Sequence, residues 1–277
     1  MRLVIDKNTD FKIANKTITF DKNRIPLNMI DMLIFISEAK ISTKDIITLT
    51  SNEITILISN KGKNFAFING YKAKNSELKK QQYKALEYKK ELATWILMQK
   101  FENSKNTLNK LGLDIEIPTI DKNLLGIEGS FARKYFSLYF SLFKIPISKG
   151  KRTKQPPLDP LNAMMSYLYS IVYYEITKLL LQNGFEPTIS YLHEPFREHF
   201  ALSSDLLEIF RGDIDYFVAK LFLDKKLNAR DFTNQNGIYL RTESRRKIWI
   251  EINQFINTLK IQTTISDLKT QIKKHLS

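Results

Sequence analysis

The sequence predicts an α+β fold, in which a short β-rich region precedes a longer helical one. Three observations carry this expectation. Up to about residue 70, short apolar or alternating runs are separated by clusters of turn residues. From Ser76 onward the hydrophobic period changes to three and four residues, and proline and glycine become sparse. The 277 residues are 43% hydrophobic and 12% aromatic, enough for packed cores and too apolar for a disordered chain.

Taken in order, the strand-like runs are Lys16–Phe20 (KTITF), Met32–Ile36 (MLIFI), Glu53–Ile58 (EITILI) and Asn64–Ile68 (NFAFI). The turn clusters between them are Asp6–Asp10, Asp21–Arg24 and Ser59–Lys63. A short helix is expected at Thr43–Leu49, with Ser42 or Thr43 as its N-cap. Asn69-Gly70 and the lysine- and asparagine-rich stretch up to Ser76 mark a boundary, dividing the chain into domains 1–75 and 76–277. Four long helical segments follow, centred on Gln81–Phe101, Asp121–Phe143, Pro160–Gln182 and Leu202–Leu223. The third is the best punctuated: Asp159 can cap it, Pro160 suits its first turn, and Gly184 follows its end. Its stripe of Leu161, Met164, Met165, Leu168, Val172, Ile176 and Leu179 reads as core. The basic stretch from Gly150 to Pro157 is expected to be an exposed loop between two helices.

Composition narrows the chemistry. No apolar run approaches the roughly 20 residues needed to span a bilayer, and MRLVIDKNTD lacks the apolar core of a signal peptide, so a cytoplasmic protein is expected. There is no cysteine, hence no disulfide and no thiolate zinc site. A metal would have to be held by carboxylates and imidazole, which favours Mg²⁺ or Mn²⁺ over structural zinc. Forty-three Lys and Arg face 29 Asp and Glu, a net charge of +14. An AT-rich genome inflates lysine, but the excess is clustered: Lys144, Lys149, Lys151, Arg152 and Lys154 come without an intervening acid, and Arg241, Arg245, Arg246 and Lys247 crowd together. Clustering favours a polyanionic partner.

Against that basic background a few acids and one imidazole stand out. Glu128 falls in the apolar stripe formed by Leu124, Leu125, Ala132, Tyr135, Phe136 and Tyr139. An inward carboxylate costs several kcal/mol unless a cation, donor or metal meets it. Arg133 and Lys134 are at the wrong helical spacing to pair with it. Gly126 and Gly129 flank it and suggest a close approach to the backbone. Asp205 and Glu208, three apart, can serve one cation from one helix face, or they can form a helix capping box, with Asp205 as cap and Glu208 reaching back. His193 precedes Glu194-Pro195, near a segment boundary. It reads either as a ligand or as a hydrogen-bonded structural residue, with His199 as an equally available alternative. Ligands drawn from Glu128, His193 and Glu208 would leave an open site with room for phosphate oxygens.

Four strings then resemble the CRISPR-associated adaptation integrase family, the universal endonuclease of CRISPR systems: GIEGSFARKYF, PPLDPLNAMMSYLYSIVYYE, LHEPFREHFALSSDLLEIFRGDIDYFV and DFTNQNGIYLRTESRRK. Their order and spacing agree from Leu125 to Lys247, and the IPLNMID stretch is compatible with the family's small first domain. The resemblance implies an N-terminal β-sandwich used in dimerisation and an all-α catalytic domain. It also implies a homodimer that joins a small CRISPR-associated partner dimer and inserts short fragments of double-stranded DNA into the CRISPR array. Glu128, His193 and Glu208 would be the ligands of Mn²⁺ or Mg²⁺, and Asp205 a supporting acid. Gly212 stands after Arg211 where the family often has proline. Arg133, Lys149, Lys151, Arg152, Lys154, Arg245 and Arg246 are the expected phosphate contacts. The competing readings are a metal-dependent nuclease of DNA repair, a mobile-element integrase and a non-catalytic DNA-binding subunit.

Overall fold

The computed structural model describes residues 1–5, 12–20, 23–60, 64–70, 76–120, 123–194 and 199–276. The chain divides into two compact units, Met1–Ala73 and Lys74–Ser277. The expected turn at Asp6–Asp10 and the helix start at Asp121 lie outside the described residues, as does Pro195.

The first unit contains β1 (Arg2–Ile5), β2 (Lys12–Ala14), β3 (Thr17–Phe20), β4 (Asn23–Pro26), β5 (Met32–Phe35), α1 (Thr43–Ser51), β6 (Thr55–Asn60) and β7 (Asn64–Ile68). One sheet has the order β1-β5-β6-β7, parallel at β1/β5 and β5/β6 and antiparallel at β6/β7. The wholly apolar MLIF of β5 is buried along its length because it lies between two parallel neighbours. The parallel step to β6 requires a crossover, and α1 supplies it. The hydroxyl of Ser42 caps this helix by accepting the N–H of Asp45 at 3.1 Å, and Leu49 turns into the core. The second sheet, β2-β3-β4, is antiparallel. Asn15 and Lys16, both at positive φ, form the two-residue hairpin between β2 and β3. Both sheets contribute to one core, where Leu3, Ile18, Leu33, Phe35 and Ile56 meet.

Three strands of this unit were not expected. β1, β2 and β4 are three or four residues long, too short for alternation to register. Asn23 and Arg24, expected in a turn, belong to β4, where Asn23 pairs with Phe20. Ser59 and Asn60 likewise extend β6, pairing with Phe65 and Asn64.

The second unit begins with α2 (Ser76–Lys84). A 3-10 turn at Ala85–Tyr88 leads into α3 (Lys89–Lys110). Then come α4 (Leu124–Ser141), α5 (Pro160–Gln182), α6 (Ala201–Leu223), the strands β8 (Phe232–Asn234) and β9 (Ile238–Leu240), α7 (Thr242–Thr258) and α8 (Ile261–Leu276). The second unit is helical as expected, with one short β8–β9 hairpin inserted between α6 and α7. Its turn carries Asn236-Gly237 at positive φ, a strong hairpin signal, and Phe232 and Leu240 bury its inner face. α5 occupies the expected span: Asp159 accepts the N–H of Asn162 at 2.8 Å, Pro160 opens the helix, and Gly184 follows at φ 83°. α6 packs against both α3 and α5 and is buried on most sides. α7 and α8 were unexpected, although Ile261, Ile265, Leu268 and Ile272 form a clear buried stripe. No helix among the described residues is long and apolar enough to cross a membrane.

Candidate active site

The position of α6 determines which of its side chains meet other elements. At Gly212, an added Cβ would fall 2.7 Å from the carbonyl oxygen of Asn103 on α3. Only glycine permits this crossing. The Asn103 side chain uses the gap, accepting the N–H of Asp213 at 2.9 Å and donating to its carboxylate at 2.8 Å. One helical turn before the crossing, Glu208 faces Lys100 of α3, their N and O atoms 2.6 Å apart. The same ammonium contacts Glu128 Oε1 of α4. Two glutamates from different helices thus converge on one cation.

Glu208 is buried, and burial alone would raise its pKa. Arg211 at 2.7 Å and Lys100 outweigh that effect and hold it down to about 2. Lys100 was missed in the sequence, yet its signal is the one that marked Glu128. It lies in the stripe of Ile96, Leu97, Ser104 and Leu108 on α3, and it is buried. Glu128 is half-buried, and its cation comes from α3, not from its own helix. The close approach expected at Gly126 and Gly129 is only partly present. Gly126 lies against the side chain of its own N-cap, Asn123, whereas Gly129 faces open space.

Asp205 is fully buried inside α6, four residues after the helix begins, so the capping-box alternative is overturned. Its Oδ2 accepts the backbone N–H of Tyr191 at 2.7 Å and of Leu192 at 2.9 Å. Its Oδ1 takes the N–H of His193 at 2.9 Å and lies 2.8 Å from the His193 ring Nδ1. A carboxylate only accepts, so Nδ1 is the donor in this contact, and in the neutral ring Nε2 then keeps its lone pair. That nitrogen lies 3.8 Å from Glu208 Oε1, with the ring 39% exposed. His199 does not join this site. It is stacked on Tyr173 and held by that residue's hydroxyl and by Ser204.

Two carboxylates and one imidazole lone pair suit a borderline or hard divalent cation. The ammonium of Lys100 stands where the two carboxylates converge. As they stand, no three His, Asp or Glu side chains among the described residues are close enough to hold one ion.

The expected phosphate contacts divide into two groups. Arg133, Lys149, Lys151, Lys154 and Arg246 are exposed. Arg152 is a correction to the picture of an open basic loop. Its guanidinium donates to Asn162 Oδ1 at 2.8 Å and Ser166 Oγ at 3.2 Å and lies over the Tyr169 ring at 5.6 Å. It pins the loop to α5. Arg245 is half-buried over Tyr167, its guanidinium carbon 5.5 Å from the ring centre. Lys154, though exposed at the surface, lies near the acids: desolvation and the nearby Arg211 and Arg152 lower its pKa, while Glu208 and Glu128 oppose the shift.

Beneath Arg211 the Tyr169 ring lies 5.1 Å away, and its hydroxyl donates to Asp215 at 2.6 Å. Tyr135 also donates to this carboxylate, at 3.0 Å, and Tyr139 donates to its backbone carbonyl at 2.8 Å. Burial raises the Asp215 pKa from 3.8 to about 6, although the two hydroxyls, Arg152 and Arg211 pull it back. The folded state therefore binds this proton more tightly than the unfolded state does. The associated stability is fully present below pH 3.8 and is lost as pH rises through about 6. Asp215→Asn is expected to remove that slope, worth about 3 kcal/mol across the window. Urea unfolding of both proteins from pH 4 to 7 checks this; parallel curves would contradict it.

The family model described as CRISPR associated protein Cas1 matches residues 2–254. The CRISPR-associated endonuclease Cas1 1 of Thermodesulfovibrio yellowstonii is 29% identical over 283 aligned positions, covering 90% of this chain and 89% of that protein. A CAS1 protein from Thermotoga maritima superposes with a TM-score of 0.85 at 22% identity, covering 99% of this chain and 96% of that one. A casposase bound to integration product superposes with a TM-score of 0.82 at 18% identity, covering 98% of this chain and 91% of that one. With the match running through both units, the chain belongs to the CRISPR associated protein Cas1 family.

Proposed function

We propose that this chain is a metal-dependent DNA integrase of CRISPR adaptation, joining the 3′-hydroxyl of a short DNA fragment to a phosphodiester at a repeat boundary. One observation carries the reading: Glu128 and Glu208 both contact the Lys100 ammonium, and Asp205 orients the His193 ring so that its Nε2 lies 3.8 Å from Glu208. Glu128, His193 and Glu208 would hold Mn²⁺ or Mg²⁺. Once bound, that ion supplies charge stabilisation at the attacked phosphate and assists the nucleophile or the leaving oxygen. The chain's own groups do the rest. Asp205 holds the imidazole tautomer. Arg211 and Lys154 place positive charge beside the acids, where phosphate oxygens would lie. The exchange forms one P–O bond and breaks another, so no external energy source is needed. The casposase relative, bound to its integration product, supports joining as the reaction.

By family resemblance the working assembly is a homodimer with a small CRISPR-associated partner dimer on double-stranded DNA. The test is a labelled duplex with free 3′-hydroxyls incubated with supercoiled plasmid and Mn²⁺, with and without that partner. Label joined to plasmid is expected. The endonuclease name of the T. yellowstonii relative favours one second reading, a nuclease using water as nucleophile at the same site. Cut plasmid without joined label would select it.

The basic loop has a separate expected outcome. Replacing Lys149 and Lys151 with alanine should lower the slope of log affinity against log salt by about 2. Arg152→Ala should instead cost roughly 2 kcal/mol of stability, through its lost bonds to Asn162 and Ser166. Salt titration of DNA binding and denaturant unfolding check the pair.

A further inference from the structure

We propose that Lys100 is a tethered competitor of the divalent ion: its ammonium neutralises Glu128 and Glu208 in the metal-free protein and withdraws from their meeting point when the ion enters. The proposal rests on the metal reading above and concerns how the same residues accept that metal.

A buried ammonium is tolerated only when paired, and Lys100 has two carboxylate partners, one from α4 and one from α6. Its backbone is fixed, because α3 and α6 are locked together at Asn103 and Gly212 within one turn of it. The charged head is not so constrained, since it ends a flexible four-carbon stem. Occupancy must be exclusive. Carboxylate oxygens bind Mg²⁺ or a similar ion at about 2.0–2.2 Å, and Lys100 Nζ already stands 2.6 Å from Glu208 Oε2. An ion gripped by both glutamates would lie almost on top of that nitrogen, where like charges repel strongly.

Charge balance gives the same answer. In the metal-free site, Lys100 and Arg211 offset Glu128 and Glu208. A divalent ion added to that set leaves two uncompensated positive charges, with Lys154 a further one nearby, and withdrawal of the ammonium relieves one of them. Arg211 cannot make the same exchange readily. Its planar head is packed over Tyr169, with the Asp215 cluster beneath.

The test is calorimetric titration of Mn²⁺ into the wild-type chain and into Lys100→Met, Lys100→Gln and Lys100→Arg, each first stripped with EDTA. Lys100→Met and Lys100→Gln should bind Mn²⁺ at least about tenfold more tightly than wild type, because no resident cation has to leave. Lys100→Arg keeps a cation and should not gain affinity. Thermal melts offer a second readout: in EDTA the Met and Gln variants should melt below wild type, and excess Mn²⁺ should close or reverse the gap. Wild-type binding with unchanged or weaker affinity in both neutral variants would overturn the competition and leave the metal site standing. No Mn²⁺ binding in any of the four proteins would remove the metal reading, and the competition with it.

Discussion

Glu128→Ala and His193→Ala should each abolish the proposed Mn²⁺-dependent joining of a DNA duplex to plasmid while the protein stays folded; this is the expected result with the largest effect. Each change deletes one of three groups proposed to hold the ion, at a step where a bound metal would contribute several kcal/mol of transition-state stabilisation. A loss of about a thousandfold or more follows from that magnitude. The fold should survive because neither side chain is deeply buried. His193 sits on a loop with its ring 39% exposed, and Glu128 is about a third exposed near the N-terminal end of α4. Lys100 keeps Glu208 as a partner when Glu128 is lost. Joining rates alongside circular dichroism melts make the check. Full activity in either variant would refute the ligand assignment.

Asp205→Asn has the second-largest expected effect, and it acts through other residues. The Asp205 carboxylate receives three backbone N–H groups and a ring N–H from the segment Tyr191–His193, and it has no exposed surface. An amide turns one acceptor into a donor, which then faces donors. Stability should fall by roughly 2–4 kcal/mol, and the imidazole tautomer is no longer enforced. Mn²⁺ affinity should fall about 10–100-fold, the usual consequence of losing an outer partner of a histidine ligand. Denaturant unfolding and metal titration separate the two roles. A destabilised protein with unchanged Mn²⁺ affinity would make Asp205 an anchor for the loop and nothing more.

Legibility varied from residue to residue. α5 could be bounded from the chain alone because Asp159, Pro160 and Gly184 are local signals whose chemistry acts within one turn. Glu128 could be singled out because a carboxylate in an apolar stripe is anomalous whatever surrounds it. Lys100 carries the same anomaly on α3, yet in a lysine-rich chain one more lysine reads as solvated surface. The hairpin at Phe232–Leu240 carried its own signal in Asn236-Gly237. β1, β2 and β4 were too short for a period to emerge.

The amino-acid order by itself determined the change from β to helical structure, the cap of α5, and most of the residues available for chemistry. It did so because those features depend on neighbours within a few positions. The roles within that set depended on tertiary packing. Asp205 became an acceptor for the His193 loop, and not a helix cap, because that loop folds back across α6. Arg152 turned onto Tyr169 because the basic loop is stapled to Asn162 and Ser166. Lys100 reached Glu208 because Gly212 lets α3 come close to α6. Each of these is a contact between segments far apart in the chain, where local spacing carries no information about distance.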